Sequence, residues 1–341
     1  MSTAPRLATF EGLAEDEVIF SLSVDVEESW DWSSQLPNQN FDVANAGQLA
    51  EFQQQLNGLG VHPTYFCTYA MLDDPQSRSD LQVLAKGEGV EMAAHLHPWC
   101  NPPHVLSGSD QSNDTGKLAQ PLNDKQSYLF NLPVELVEAK LVCLVEKFSS
   151  CFGYTPESFR SGRWGIDARV LKLLRQAGFA VDSSHLAYYR TQYFDCGNAP
   201  SQPYWSDTIL NLPASGGYTS LPFDKAHKRH VALSSPGIAK LKLNAVLSKL
   251  GIQRQVFLSP EFCQQRDLLK LVENMLTRGD RFFHMSLHSS SLEPGKNQYI
   301  QSAHDKQRMF SRLSKVVQHL TSQRRVRFLN LSQVAEASSA T

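Results

Sequence analysis

Short apolar runs alternate with amphipathic helical patterns along most of this chain, and that alternation leaves few folds open. Residues 18–24 (VIFSLSV) read as a buried strand and 47–59 as the helix after it. Residues 64–68 (TYFCT) read as a second strand, followed by a helix around 80–86, and 90–94 as a third, shorter strand. The clearest helix spans 133–151, where Val137, Leu141, Leu144, Val145 and Phe148 make one apolar stripe and Gly153 is placed to end it. A strand at 158–160 precedes a helix at 168–177 that Asp167 can cap, and further strands fall at 179–182 and 209–212. Ser259-Pro260-Glu261 has the form of a helix opening, with a cap, proline at the first position and an early acid, so it predicts a helix over 262–278 ending at Gly279. A strand at 281–287, a helix at 304–322 and a strand at 326–329 complete the pattern.

Units of this kind predict an α/β fold, a distorted (β/α) barrel of about seven parallel strands, in preference to an open sheet. Residues 18–335 read as a single domain, with 223–251 fitting the alternation worst and suggesting an insertion or cap. The polar, acidic residues 1–17 read as a disordered N-terminal extension. Residues 98–123, rich in Pro, Ser, Gly and Asn, make a loop longer than most connections.

Composition excludes several classes. A net charge of -2 over 341 residues offers no basic stripe for a phosphate backbone, so nucleic acid is not an expected partner. The one dense basic run, Arg324, Arg325 and Arg327, reads as a solvated edge. Six scattered cysteines without a CxxC pair do not make a disulfide scaffold. No apolar signal core and no stretch of ~18 apolar residues is present, which points to a soluble cytoplasmic protein without a membrane span.

Polar residues gather where the strands end. Strand side chains alternate, so Asp25 and Glu27 share one face while Val26 points away, and two carboxylates so placed repel unless a cation or proton lies between them. His95 and His97 repeat the arrangement with imidazoles, Arg160 follows the 158–160 strand and His288 the 281–287 strand. In parallel α/β folds sites form at the C-terminal strand ends. Any one of these residues alone would more often be structural, but structural needs would not place all of them at equivalent ends. Two imidazoles and a carboxylate match a catalytic zinc site with room for water. A second carboxylate could take the water's proton, a distant histidine could protonate the leaving group, and Arg160 could hold a carboxylate ionised.

These stretches resemble the NodB-homology domain of polysaccharide deacetylases, carbohydrate esterase family 4, from about Phe20 to Val334. FSLSVDVEE is similar to the family's acidic motif, HPTYFCT to the strand that follows, EMAAHLHPW to the histidine motif, SFRSGRWG to the arginine motif and MSLHSSSLEPG to the final histidine motif. VDSS at 181–184 fits as well, and the HLHPW and LHSSSLEPG wording is closest to a lipopolysaccharide-biosynthesis subgroup typified by WalW. The resemblance implies Asp25 as general base, His288 as general acid, Arg160 as the group orienting the base, and His95 as the first histidine ligand. It also implies a distorted barrel, while the mixed imidazole and carboxylate set itself points to a divalent transition metal, zinc above all.

Two departures reassign ligands. Val26 stands where many members carry a second, metal-binding aspartate, so Glu27 is expected to supply that ligand, a spacing similar to an allantoinase-like branch. Trp99 stands where many members keep the second histidine, so His97 is expected to replace it, with His104 as a spare candidate. Trp30, Trp99 and Trp164 are the candidates for stacking on sugar faces; Trp32 and Trp205 are further ones. No GxSxG elbow supports a serine nucleophile. The expected function is removal of an N-acetyl group from an amino sugar of a polysaccharide or its precursor. The alternatives are an allantoinase-like amide hydrolase and a catalytically silent carbohydrate-binding protein.

Overall fold

A computed structural model describes residues 5–32, 34–37, 39–104 and 122–340. The strands are β1 (Arg6–Phe10), β2 (Glu17–Val26), β3 (Pro63–Cys67), β4 (Glu91–Leu96) and β5 (Ser158–Ser161). They continue as β6 (Val181–Asp182), β7 (Tyr204–Ser206), β8 (Ile209–Asn211), β9 (Gly216–Tyr218) and β10 (Gln255–Phe257). Last come β11 (Phe282–His288), β12 (Arg325–Phe328) and β13 (Ser338–Ala340). Among the described residues, seven parallel strands lie side by side in the order β11, β2, β3, β4, β5, β6, β8. β12 runs parallel to the first half of β2, and β3 pairs with its second half.

The sheet curls back on itself. After β8 the chain reaches Ser215, whose N–H donates to His284 O at 2.9 Å on β11, while His284 N–H donates to Ser215 Oγ at 2.9 Å. The α/β architecture is therefore a curled, mostly parallel, distorted barrel. β2 shows how it is built. Phe20, Leu22, Val24 and Val26 point outward into the main apolar core beneath the helices, and the intervening Ser21, Ser23 and Asp25, all buried, take the other face. Helix Val134–Phe152 covers that core with the expected stripe, and burying Leu141, Leu144 and Phe148 stabilises by about 1.5–3 kcal/mol each. Gly153 ends it in the left-handed region, at φ 81°.

Two expectations change. Residues 1–17 are not a disordered extension throughout: β1 pairs antiparallel with β7 and β13, and Phe10 lies 6.2 Å from Phe282. Arg325 pairs with Asp16 and Arg327 with Glu17 at the surface, so two members of the basic run, which does form a solvated edge, also hold this segment. These partners are some three hundred residues apart, and local composition carries no trace of them. The helix expected from Ser259-Pro260-Glu261 begins only at Gln265, because Glu261 is drawn toward His288 and Ser291 instead. Most of the 98–123 loop lies outside the described residues. Within 223–251, helices Phe223–Leu233 and Leu243–Lys249 stand between β9 and β10, which pair antiparallel as a small separate sheet. No helix among the described residues is long and apolar enough to cross a membrane.

Candidate active site

The C-terminal edge of the parallel sheet collects the polar residues. Register fixes this: His288 is paired with Asp25 across β11 and β2, and His95 with Arg160 across β4 and β5. Glu27 and His97 each lie one residue past their strand and, by alternation, on the face of Asp25 and His95. Gly162 leaves the space His97 needs, since a Cβ there would come within 2.3 Å of the ring.

Glu27, His95 and His97 form a buried group whose ligand atoms all lie within 4.8 Å of one another. Both Nε2 atoms approach Glu27 Oε2, His95 at 3.5 Å and His97 at 3.1 Å. Each ring is turned by its other nitrogen: His95 Nδ1 donates to Arg160 O at 2.9 Å and His97 Nδ1 donates to Glu28 Oε1 at 2.8 Å. A neutral ring that keeps its proton on Nδ1, in a hydrogen bond, presents a bare Nε2, the form a metal binds. Burial opposes charge on His97, yet the carboxylates of Glu28 and Glu27 raise it well above the ordinary histidine range. Burial likewise opposes the Glu27 carboxylate, which the rings of His288, His95 and His97 nonetheless hold far below its usual range. Two imidazole nitrogens and one carboxylate oxygen converging on one buried point are a mixed donor set of the kind that fits a divalent metal.

Asp25 Oδ1 accepts from Arg160 Nη1, and its Oδ2 lies 3.9 Å from His288 Nε2. Arg160 is fully buried and held on every side. Its Nε donates to Ser183 O at 3.1 Å, its Nη2 to Ser23 Oγ at 2.8 Å and Ser183 Oγ at 2.9 Å, and Phe66 and Trp164 lie against its planar group. Ser23 Oγ in turn donates to His284 Nε2 at 2.9 Å. Burial, then the nearby Arg160 charge, pushes His284 down to about 3, so it stays a neutral acceptor.

Sequence reasoning missed Glu261. Its carboxylate is buried and accepts from His288 Nδ1 at 3.0 Å, from His288 N–H at 3.0 Å and from Ser291 Oγ. The only sequence signal was an acid in an apparent helix opening. Burial works against a charged His288, but Glu261 first, with Glu27 and Asp25, carries it up to about 10. Its proton is thus retained through neutral pH and lost as pH rises toward that value. Glu261→Gln removes the largest source of this elevation. We expect the alkaline limb of a pH–rate profile to move to lower pH by roughly 1–3 units. An alkaline limb that stays in place would refute the coupling.

A cavity of about 340 Å³ opens over these groups, and Asp25, Glu27, His95, His97 and His288 all line it. Trp30, Trp32, Trp164, Tyr189, Phe257 and Tyr299 supply aromatic walls. Trp32 meets His288 edge-on at 4.8 Å. Arg163 and Trp164 take φ of 59° and 61°, an uncommon backbone for such side chains, and the turn brings the Trp164 ring over Arg160. Trp99 lines the cavity too, but it is nearly fully buried, donates its indole N–H to Glu28 and packs 4.1 Å from the His97 ring, so it also supports that histidine. Trp205 packs elsewhere, against a separate apolar cluster. His104 belongs to neither group of nearby ligand atoms found among the described residues.

No protein-family model matches the chain, and no curated protein matches it. Solved structures do. A candidate polysaccharide deacetylase from Mycobacterium smegmatis superposes with a TM-score of 0.50 at 13% identity, covering 98% of this chain and 93% of that one. A candidate glycoside hydrolase/deacetylase from Parabacteroides distasonis gives a TM-score of 0.52 at 12% identity, covering 95% of this chain and 71% of that one. At such identities the likeness establishes the fold: this chain has the α/β fold of the polysaccharide deacetylases.

Proposed function

We propose that this chain is a metal-dependent hydrolase that removes the N-acetyl group from an amino sugar of a polysaccharide or of its precursor. The observation that carries the reading is the meeting of two constellations over one cavity, the Glu27, His95 and His97 group and the Asp25–His288 pair. Glu27, His95 and His97 would hold a divalent transition metal, zinc by the mixed imidazole and carboxylate character of the set, which supplies polarisation of the amide carbonyl and acidification of water.

The chain's own groups do the rest. Asp25 takes the proton of the attacking water, with Oδ1 held by Arg160 and Oδ2 turned toward His288. His288, kept protonated by Glu261, gives its proton to the departing nitrogen as the amide C–N bond breaks, leaving acetate and a free amine. Trp30, Trp32 and Trp164 offer flat apolar faces to the C–H face of a sugar ring. A binding protein without catalysis would have no use for a base and an acid held apart by separate partners.

The test is acetate release from N-acetylated amino-sugar oligosaccharides, with cyclic and linear amides run alongside. Dialysis against a chelator should abolish release, and zinc or cobalt should restore it. Full activity in metal-free protein, or turnover of the amides alone, defeats the proposal.

A further inference from the structure

We propose that Glu28 is a positioning residue for His97: it sets which ring nitrogen faces the metal group and is not itself a ligand. The inference rests on the reading of Glu27, His95 and His97 as that group. Glu28 follows Glu27 directly, yet its carboxylate lies on the far side of the His97 ring, fully buried. Burying a carboxylate is costly unless its lone pairs are filled. Here four donors fill them. Oε1 accepts from His97 Nδ1 at 2.8 Å and Trp99 Nε1 at 2.6 Å, and Oε2 from Thr68 Oγ1 at 2.9 Å and Cys100 Sγ at 3.6 Å. An ionised carboxyl offers about four acceptor positions, so this one is saturated.

A rival assignment exists in the same atoms. Glu28, His97 and Cys100 also place one ligand atom each within 4.8 Å of one another, which would make a second cation site behind the first. Two facts weigh against it. A cation there would have to displace the donors that fill Glu28. It would also need His97 Nδ1 bare while Nε2 serves Glu27's side, and a neutral imidazole has only one bare nitrogen. A carboxylate accepting Nδ1–H instead leaves Nε2 free and more basic, which strengthens it as a ligand. The turn beyond His97 is clamped to match: Asn101 N–H donates to His97 O at 3.1 Å, and the buried Lys140 Nζ donates to Pro98 O at 2.9 Å and to Asn101 O.

The experiment measures cobalt binding by the full chain in competition with a chelator, for wild type, Glu28→Gln, Glu28→Asp and Cys100→Ser. Glu28→Gln loses the charge, and Glu28→Asp keeps the charge but draws it back from Nδ1, so either variant serves if the other fails to fold. Both are expected to bind one equivalent roughly 10–100-fold more weakly, as loss of an outer partner does, while keeping the wild-type far-ultraviolet circular dichroism in the metal-free form, with a lower thermal midpoint because buried donors are left unpaired. Cys100→Ser should bind as wild type, and cobalt-loaded wild type should lack a thiolate charge-transfer band in the near ultraviolet. Wild-type affinity in the Glu28 variants overturns the assignment. A thiolate band, or an equivalent lost in Cys100→Ser, overturns it in favour of ligation. Wild type that takes up no metal at all defeats the underlying metal reading instead, a result distinct from either.

Discussion

Asp25→Asn is expected to lower turnover roughly 10²-fold or more with little change in KM, the usual cost of losing a positioned general base. The amide cannot take a proton from water at neutral pH, which is the whole of the expected loss. Its carbonyl oxygen can still accept from Arg160 Nη1, and Asp25 lies at the cavity and not in the apolar core, so the fold should survive. Steady-state kinetics beside a circular-dichroism melt separates the two effects. Turnover near the wild-type rate in Asp25→Asn would remove Asp25 from the role of base.

The second large effect concerns the histidine ligand. His97→Ala is expected to leave the protein with little bound metal after dialysis, whereas His104→Ala should retain a full complement. His97 Nε2 stands 3.1 Å from Glu27 Oε2 and its ring centroid 4.6 Å from that of His95, so removing it opens the group directly. His104 lies beyond the clamped turn, where burial and the Lys140 charge lower its pKa and its Nδ1 has no hydrogen-bond partner among the described residues. Loss of a true ligand should exceed the 10–100-fold typical of an outer partner, which sets His97→Ala apart from the Glu28 variants. Metal analysis after equal dialysis decides: metal kept by His97→Ala and lost from His104→Ala reverses the ligand choice.

By itself the sequence determined the features that local periodicity dictates. Alternation along β2 and β4 puts Asp25 with Glu27 and His95 with His97, whatever the rest of the chain does, because side chains on a strand point to opposite faces in turn. Alternating strand and helix patterns imply parallel strands, and parallel strands bring such residues to one edge. Tertiary structure alone decided the partners. Glu261 reads locally as a helix-opening acid, but His288 and Ser291, about thirty residues on, supply hydrogen bonds that outcompete the helical turn. Glu28 carries no signal beyond its place next to Glu27, and only β3, β4 and the turn after it bring Thr68, His97 and Trp99 around it. Trp99 reads only as a sugar platform, and its support of His97 shows only once the two rings are packed together in the buried turn. Periodicity is a property of neighbours along the chain, whereas hydrogen-bond saturation and burial depend on segments that meet only when the barrel closes.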